Sequence, residues 1–263
     1  MCVSLITLGS LSSRDLLQTI QLSLPFARRV ISQWIFVLFS EDEVRSFSLY
    51  LHNNMLSLDD FKVSVSHCSS GISASLNEGL SHVSCSWTLI VHSGDSLLDL
   101  DESHYLTIVN ALSDPSQYLT LQIFGSLYDN GKGDLSITNH QRKRNCFSSM
   151  LPWIPHESTF VPSEFYLDRQ YNVSFKSAMD FDFFHSLFIK KVPFRVYPFA
   201  ITKFALGGTS SDVLLSCLEY RRSIVENRTF RGSWLNFFMS WIYFFFLFSA
   251  KVLFNLKSNL TFH

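Results

Sequence analysis

The sequence predicts an α/β fold with a mostly parallel central sheet flanked by helices. Four short apolar runs have the composition of buried strands, and they begin roughly 30 residues apart with a helical pattern in each gap. This spacing is typical of right-handed βαβ crossovers, which build parallel sheets. The strands are expected at residues 3–8, 34–39, 61–65 and 87–91, with a later strand at 119–124.

Polar residues mark where the intervening helices begin. Ser12 or Ser13 can cap the first helix, because a hydroxyl accepts a hydrogen bond from a free amide of the first turn. Glu41 and Asp42 suit the first turn of the second helix, where a carboxylate meets the positive end of the helix dipole. A third helix is expected after Gly71, and it leads into the strand at 87–91.

Composition and charge exclude several classes of protein. With 263 residues, 47% hydrophobic and 16% charged, the chain can bury a large core. A net charge of −1 argues against nucleic-acid binding, which normally needs a basic surplus. The five cysteines are scattered without a C-x-x-C pair, so we expect neither a zinc site nor a disulfide framework, and a reducing cytosol fits. The first ten residues lack the basic start of a secretory signal.

The segment 86–98, SWTLIVHSGDSLL, carries the first candidate site. Its apolar run has the character of a buried strand and ends abruptly in Ser93, Gly94 and Asp95. In open α/β sheets the ligand crevice lies beyond the carboxyl ends of the strands, so a carboxylate there can hold a metal or contact a phosphate. The alternative is a strand followed by an ordinary turn.

The segment 179–184, MDFDFF, carries the second candidate site. It places Asp180 and Asp182 at the start of an apolar helix, where they point roughly 200° apart and cannot share one role. One can cap the helix while the other faces a cleft; alternatively, both are first-turn carboxylates. The basic run at 141–144, QRKR, is a lesser candidate for contacting phosphate, with a solvated face as its alternative.

Four stretches, in this order, resemble the family 2 glycosyltransferases of the GT-A fold. They are most similar to the short bacterial members of exopolysaccharide and lipopolysaccharide gene clusters. Residues 71–95 resemble the G-I-Y-D-A-M-N-K-G segment that runs into F-L-N-S-G-D, 154–160 the M-P-H-Q-x-x-F motif, 178–184 A-x-D-Y-D-L/F-F, and 206–210 G-G-V-S. The matching residues in the first stretch are Gly71, Ile72, Asn77, Gly79, Ser93, Gly94 and Asp95.

The resemblance implies an inverting transferase that moves a sugar from a nucleotide donor, with a UDP-sugar as the expected donor, to a lipid-linked saccharide or polysaccharide. It implies that Asp95 holds a divalent cation, Mn²⁺ or Mg²⁺, against the diphosphate, with His156 on the metal or acceptor side. Asp180 is the implied catalytic base. The donor site would be lined by Thr7, Glu41, Asn77, Ser93, Gly94 and Asp95.

The sequence also departs from the family pattern. Family members carry D-G-G-S-T-D after the second strand, whereas this chain has LFSEDE at 38–43, where Glu41 or Asp42 could take over contact with the nucleotide base. A catalytically weak or inactive GT-A-like scaffold at the membrane is therefore the alternative function. Its discriminating feature is nucleotide binding.

The chain is expected to divide into a transferase domain at 1–215 and a membrane-associating helical tail at 216–263. Residues 234–254 combine a Phe/Trp-rich face with a polar stripe, as expected for a helix lying in a membrane interface. A spanning helix and an ordinary buried helix are the alternatives. The expected location is cytoplasmic, peripherally associated with the inner face of the plasma membrane. The polar stripe comprises Ser233, Asn236, Ser240, Lys251, Asn255 and Ser258, bridged by Tyr243 and Leu247.

Overall fold

A computed structural model describes residues 1–129, 135–137, 154–204, 212–228 and 232–260. The chain forms two compact units. The first comprises Met1–Arg142, Ile154–Tyr171 and Val192–Leu206, and the second comprises Lys143–Trp153, Asn172–Lys191 and Gly207–His263. The basic run at 141–144 and the motif at 206–210 lie outside the described residues.

The first unit begins with the predicted alternation of strands and helices. In the parallel ladder, Ile6 of β1 pairs with Ile35 of β2 on one side and with Ile90 of β4 on the other. Both β1 and β2 are buried along their whole length, which explains their continuous apolar composition. The elements are β1 Val3–Leu8, α1 Arg14–Val30, β2 Gln33–Leu38, α2 Glu41–Asn53, β3 Lys62–His67, α3 Ile72–Ser81 and β4 Trp87–Ile90.

The second half of this unit adds antiparallel pairs to the sheet. The strand order is β3-β2-β1-β4-β8-β6-β9-β5, and β7 pairs with β6. Strands β3, β2, β1 and β4 are parallel to one another, β8 runs antiparallel to both β4 and β6, and β9 pairs in parallel with β6. The predicted α/β class is confirmed. The further elements are β5 Ser96–Leu97, α4 Glu102–Ser113, β6 Leu121–Asp129, β7 Leu135–Ile137, β8 Thr159–Pro162, α5 Glu164–Asp168 and β9 Phe194–Phe204.

A side-chain cap defines the start of α1, and a cluster of aromatic rings packs in the core around β2. The side chain of Ser13 accepts from the amide of Asp15 at 3.0 Å, which identifies Ser13 rather than Ser12 as the cap of α1. In the core, the rings of Trp34 and Phe36 stack with centroids 5.2 Å apart, and Phe61 meets Trp34 edge-on at 5.5 Å. Such aromatic pairs add to the stabilisation from burial alone.

One prediction from the cysteine pattern is wrong. A disulfide joins Cys2, just before β1, to Cys85, just before β4, with Cα atoms 5.0 Å apart. The two residues are 83 positions apart in the chain. Their pairing follows from the parallel register of β1 with β4, which brings together two strand starts that are remote in sequence.

The second unit contains three described helices, α6 Met179–Ile189, α7 Val213–Glu226 and α8 Ser233–Leu260. Helix α7 contacts both α6 and α8. Two residues of the polar stripe of α8 pack inward: Asn236 and Ser240 are buried, and the Asn236 amide donates to the carbonyl of Val225 on α7 at 3.2 Å. Part of the aromatic face is consequently exposed. Within the described residues, no helix has the length and apolarity needed to cross a membrane.

Candidate active site

A tight turn at the carboxyl end of β4 positions Asp95. The ladder with β1 continues past the strand, because the amides of Val91 and Ser93 donate to the carbonyls of Ile6 and Leu8, each at 2.9 Å. The chain then turns at Gly94, whose φ of 104° favours glycine. Asp95 is buried, with only 4% of the residue exposed. The predicted Ser-Gly-Asp turn therefore lies where ligands bind open α/β sheets.

A buried hydroxyl on α1 holds this turn in place. Thr19 Oγ1 accepts from the amide of Gly94 at 2.9 Å and donates to the carbonyl of Asp95 at 2.6 Å. One helical turn later, Ser23 Oγ accepts from the amide of Leu97 at 2.9 Å. These two residues were missed by sequence reasoning. Their signal was a pair of hydroxyls four residues apart on the buried face of an apolar helix.

The end of β1 approaches the turn closely at Gly9. A Cβ atom on Gly9 would lie 2.9 Å from the Cβ of Ser93, and 3.1 Å from Cδ1 of Leu16. Glycine is therefore needed for the two strand ends to meet at this distance. Among the described residues, the buried Oγ of Ser93 has no hydrogen-bond partner. The hydroxyl of Ser93 is thus the group of this turn that could form a hydrogen bond with a bound ligand.

His156 lies near the same turn, in a single 3₁₀ turn at His156–Ser158. Its ring meets the ring of His92 edge-on, with centroids 4.9 Å apart. Its Nδ1 lies 3.5 Å from a carboxylate oxygen of Glu157. A carboxylate beside Nδ1 favours the proton on that nitrogen, which is the tautomer that commonly binds metals through Nε2.

Glu157 is a buried charge that sequence reasoning missed. It is 5% exposed, and its carboxylate accepts a hydrogen bond from Ser126 Oγ at 2.7 Å. Ser126 in turn accepts from Thr202 Oγ1 at 2.8 Å. The available signal was a glutamate at the position where the resembling motif has glutamine. Buried charges need such partners, so this network holds the 3₁₀ turn that carries His156.

The residues at the turn fit a metal bound jointly with a phosphate ligand. Within the described part of the chain, no group of three or more His, Cys, Asp and Glu side chains is arranged to hold an ion. A dedicated protein cage is therefore not formed there. Mg²⁺ in proteins is commonly held by one or two carboxylates plus substrate phosphates, and Asp95 supplies a carboxylate of this kind. An imidazole such as that of His156 suits Mn²⁺ less than an oxygen ligand does.

Two of the predicted donor-site residues have structural partners. The hydroxyl of Thr7, which is fully buried, accepts from the indole N–H of Trp34 at 3.0 Å. The amide of Asn77 makes two bonds with the backbone of Tyr171, one to its carbonyl and one from its N–H, both at 2.9 Å. Contact of these side chains with a donor remains a prediction.

The carboxylate of Glu43 joins the loops that follow β1 and β2. It accepts from the amides of Leu11 and Phe39, both at 2.9 Å, and from the hydroxyl of Ser10. Burial raises the pKa of Glu43, but these hydrogen bonds outweigh burial and hold the pKa below its ordinary value. The predicted Glu41 is instead exposed and pairs with Arg45 at 2.9 Å. Glu43 was the third carboxylate of LFSEDE and was overlooked.

In the second unit, Asp180 is the second residue of α6 and is partly exposed. Its carboxylate accepts from the amide of Phe181 at 2.8 Å. The Phe181 ring lies 4.5 Å from the ring of Tyr220 on α7. Burial, and to a lesser extent the charge of Asp180, raises the pKa of the Tyr220 phenol far above its ordinary value of 10.0. Tyr220 is therefore protonated at neutral pH.

Asp182 has a different environment from Asp180. It is 1% exposed, and its carboxylate accepts from Ser223 Oγ at 2.7 Å and from the Asn227 amide at 3.0 Å. Because Ser223 donates its proton to Asp182, its oxygen can accept from Nδ1 of His185, which lies 3.0 Å away. The two carboxylates thus differ in exposure and partners, as the helical geometry predicted.

Glu219 of α7 binds the segment that leads into α6. Its Oε1 accepts from the amide of Lys176, and its Oε2 accepts from the amides of Ser177 and Ala178, all at 2.8 Å. Sequence reasoning missed this residue, because 216–263 was interpreted as a tail. The available signal was a set of polar residues at helical spacing: Ser216, Glu219, Tyr220, Ser223 and Asn227.

The fold and the turn after β4 together place this chain in one class: α/β proteins that carry a carboxylate at the carboxyl end of a central parallel strand. Solved glycosyltransferase structures share the fold. The mannosyltransferase PcManGT from Pyrobaculum calidifontis, in complex with GDP-Man and Mn²⁺, matches with a TM-score of 0.64 at 9% identity, over 99% of this chain and 80% of that chain. S. aureus TarS 1-349 in complex with UDP-GlcNAc matches with a TM-score of 0.58 at 15% identity, over 86% of this chain and 65% of that chain.

A second TarS 1-349 structure, in complex with UDP, matches with a TM-score of 0.55 at 13% identity, over 87% of this chain and 71% of that chain. The chain spans 40% of the longer TarS structure. No protein-family model and no curated protein matches the sequence. At these identities the likeness establishes the fold, which is the GT-A α/β fold that the four motifs predicted.

Proposed function

We propose that this protein is an inverting, metal-assisted glycosyltransferase that uses a nucleotide-sugar donor, UDP-linked by preference. The observation that carries the proposal is the buried Asp95, held by Thr19 at the carboxyl end of β4. The shared fold supports it, since neighbours were solved with UDP, UDP-GlcNAc, or GDP-Man and Mn²⁺.

In the proposed donor site, Asp95 holds Mn²⁺ or Mg²⁺, with His156 as the second candidate ligand. When bound, the metal would neutralise the negative charge that develops on the leaving diphosphate. Ser93 contributes a hydroxyl on the same turn that can donate to a phosphate oxygen. The amide of Gly94 is held by Thr19, so Gly94 would line the donor site with backbone that carries no side chain. Thr19 and the Glu157 network hold the backbone that carries these two side chains.

In the proposed transfer step, an acceptor hydroxyl attacks the anomeric carbon of the donor sugar. The new glycosidic bond forms while the bond to the diphosphate breaks, and the diphosphate leaves with the electron pair. Asp180 accepts the proton of the hydroxyl as the general base. A single displacement of this kind inverts the anomeric centre.

The test of this function is a transfer and hydrolysis assay with a panel of nucleotide sugars, with and without Mn²⁺ or Mg²⁺. We expect metal-dependent turnover with at least one donor, and Asp95→Asn should weaken donor binding because a hard cation loses a charged oxygen ligand. Asp60→Asn, which alters an exposed partner of Arg28, is the matched control. Absence of turnover with every donor, together with unchanged binding in Asp95→Asn, would contradict the proposal.

The proposed acceptor is a lipid-linked saccharide or a polysaccharide, reached from the membrane surface. Large apolar side chains on α8 support this part, because an exposed aromatic surface favours insertion among lipid headgroups. Trp234 is 85% exposed and Phe238 is 62% exposed. Arg221, whose guanidinium lies 4.0 Å from the ring centroid of Trp241, and the exposed Arg228 add positive charge suited to anionic lipids.

Cosedimentation with vesicles tests the membrane part. Binding should be stronger to vesicles of phosphatidylcholine with anionic phosphatidylglycerol than to phosphatidylcholine alone, and Trp234→Ala with Phe238→Ala should abolish it. Leu167→Ala is the control, because Leu167 is 84% exposed on α5 of the other unit. Equal binding by the double variant and the wild type would rule out this surface.

The proposed location is the cytoplasmic side of the plasma membrane. Alkylation of thiols in intact cells tests it, because cytosolic thiols are kept reduced. Modification of both Cys2 and Cys85 without added reductant would support a cytoplasmic location. Protection of both thiols, released only by reductant, would mean that the disulfide of the structure persists in an oxidising compartment.

The second candidate function is a GT-A-like scaffold with weak or absent catalysis. One observation favours it. In LFSEDE, where the family pattern has an Asp that contacts the nucleotide base, the carboxylate of Glu43 instead binds backbone amides and that of Glu41 pairs with Arg45. Calorimetry with UDP, UDP-GlcNAc and GDP-Man discriminates the two. Absent or metal-independent binding by a folded protein would favour the scaffold.

A further inference from the structure

The start of α6 lacks a cap from its own segment. The residue before the helix is Ala178, which has no side-chain acceptor, and no side chain of the N-cap position bonds to the first turn. Helix starts usually take such an acceptor from Ser, Thr, Asp or Asn at this position. Within the first turn the carboxylate of Asp180 accepts from the amide of Phe181, whereas the amides of 176–178 take their partner from elsewhere in the chain.

Glu219 supplies that partner from 41 to 43 positions along the chain. Its two carboxylate oxygens accept from three consecutive amides, those of Lys176, Ser177 and Ala178, each at 2.8 Å. Successive backbone N–H groups that converge in this way form a concave site for an anion. The Glu219 side chain, on a residue only 6% exposed, occupies the site.

A second contact reinforces the first. Ser216 Oγ donates to the carbonyl of Asp212 at 2.8 Å, so its remaining bond with Ser177 Oγ, at 2.7 Å, is one in which Ser177 donates. Ser216 and Glu219 lie three residues apart and thus on one face of α7. Backbone and side chain of the segment before α6 are both tied to that face.

We infer that Glu219 is a positioning residue for Asp180: it sets the entry of the chain into α6, and thereby the direction of the carboxylate on the second residue of that helix. The inference rests on the proposed function, in which Asp180 is the base. Ala178, the last amide that Glu219 binds, is two residues before Asp180. A rotation of the first helical turn would move the Asp180 carboxylate, and a displacement of about 1 Å can cost a hundredfold in rate.

Glutamine at position 219 is the informative replacement. It keeps the size of the side chain, but one of its two ends becomes an NH₂ group that faces amides instead of accepting from them. The charge that suits a helix start is also lost. Glu219→Asp keeps the charge on a shorter side chain. Glu226→Gln is the matched control, since Glu226 is also on α7 but pairs with Arg222 at the surface, 40% exposed.

The experiment measures the wild type, these three variants and Asp180→Asn. Hydrogen exchange at the amides of 176–178 measures whether Glu219 still binds them. The values of kcat and donor KM and the pH dependence of kcat measure the effect on catalysis by Asp180. In Glu219→Gln we expect exchange of these amides to rise by about tenfold or more. We expect kcat to fall about 10- to 100-fold while donor KM changes by less than about twofold. The limb of the kcat–pH profile that reports ionisation of the base should shift along the pH axis, because the surroundings of Asp180 change.

The outcomes separate this inference from the proposed function. Suppose that the wild type transfers sugar and Asp180→Asn does not. If folded Glu219→Gln then has the kcat and the pH profile of the wild type, the positioning role is overturned and Glu219 has only a structural role. If Glu219→Gln does not fold, Glu219→Asp decides by the same criteria, with an intermediate kcat expected. No transfer by the wild type, or full activity in Asp180→Asn, removes the proposed function and this inference together, whatever the exchange rates.

Discussion

Thr19 and Asp95 are joined by a buried hydrogen bond of 2.6 Å, from the threonine hydroxyl to the aspartate carbonyl. The same hydroxyl accepts from the amide of Gly94 at 2.9 Å. One side chain of α1 thus binds both polar ends of the turn that carries the proposed metal ligand. The position of Asp95 depends on a residue 76 positions earlier in the chain.

Thr19→Val should therefore weaken both the fold and the donor site. Valine has nearly the same shape but takes the hydrogen-bond partner away from a partly buried amide and a buried carbonyl, which costs about 1 to 3 kcal/mol in the free energy of unfolding. Metal-dependent donor affinity should also fall, since Asp95 is less constrained. Urea denaturation and calorimetry measure the two effects. Thr107→Val, which removes a hydroxyl bond on the surface of α4, should change neither.

Asp180→Asn should separate chemistry from binding. Asparagine retains the size and much of the hydrogen bonding of aspartate but cannot take the acceptor proton, so turnover should fall by about 10² to 10⁴. Donor affinity should stay near the wild-type value. Single-turnover kinetics and donor titration give the two quantities. Turnover near normal in this variant would exclude Asp180 as the base.

Asp182→Asn should cost stability more than chemistry. Asp182 is buried, and a single oxygen of its carboxylate, Oδ1, accepts from both Ser223 and Asn227. Asparagine can keep these two bonds only as bonds to a neutral amide oxygen, and it puts an NH₂ group at the buried position of Oδ2. We expect the free energy of unfolding to fall by about 1 to 3 kcal/mol. The turnover of the folded protein should stay close to normal. Loss of transfer in Asp182→Asn with a normal Asp180→Asn would reverse the assignment of the two carboxylates.

Glu43→Gln should reveal a pH-dependent contribution to stability. The hydrogen bonds to Glu43 hold its folded pKa below the ordinary value of 4.5. A lowered folded pKa stabilises the fold at pH values above 4.5, and this contribution is lost as the pH falls through the lowered value. The difference in urea midpoint between wild type and variant should thus be full at pH 7 and vanish in acid. Glu41→Gln, which removes the carboxylate of an exposed ion pair on the same helix, is the control for the substitution itself.

Much of the fold could be predicted from local sequence patterns. The apolar runs located β1, β2 and β4, because burial on both faces of a parallel sheet requires continuous apolar strands. The helical spacings located the intervening helices, and β3, at the edge of the sheet, is only partly buried. The turn at Ser93, Gly94 and Asp95 was predictable for the same reason: a strand must end where polar turn residues begin. The antiparallel insertion of β8 between β4 and β6 was not, because strand partners are chosen over long separations.

The partners of polar residues likewise followed only from tertiary structure. Cys2 and Cys85, Thr19 and Asp95, and the amides that Glu219 binds are each remote in sequence, and nothing local to either partner specifies the other. Sequence reasoning identified Asp180 and Asp182 as candidates but could not name the helix that packs beside them.

Helix α8 shows the division between the two levels. Its sequence alone determined that one stripe is polar and the other aromatic, since the spacing of residues sets which side chains share a face. Which face meets water was decided by α7, because Asn236 and Ser240 are buried on the side of α8 that packs against that helix. Periodicity specifies the faces of a helix, whereas the free energy of burial against a particular neighbour decides which face turns inward.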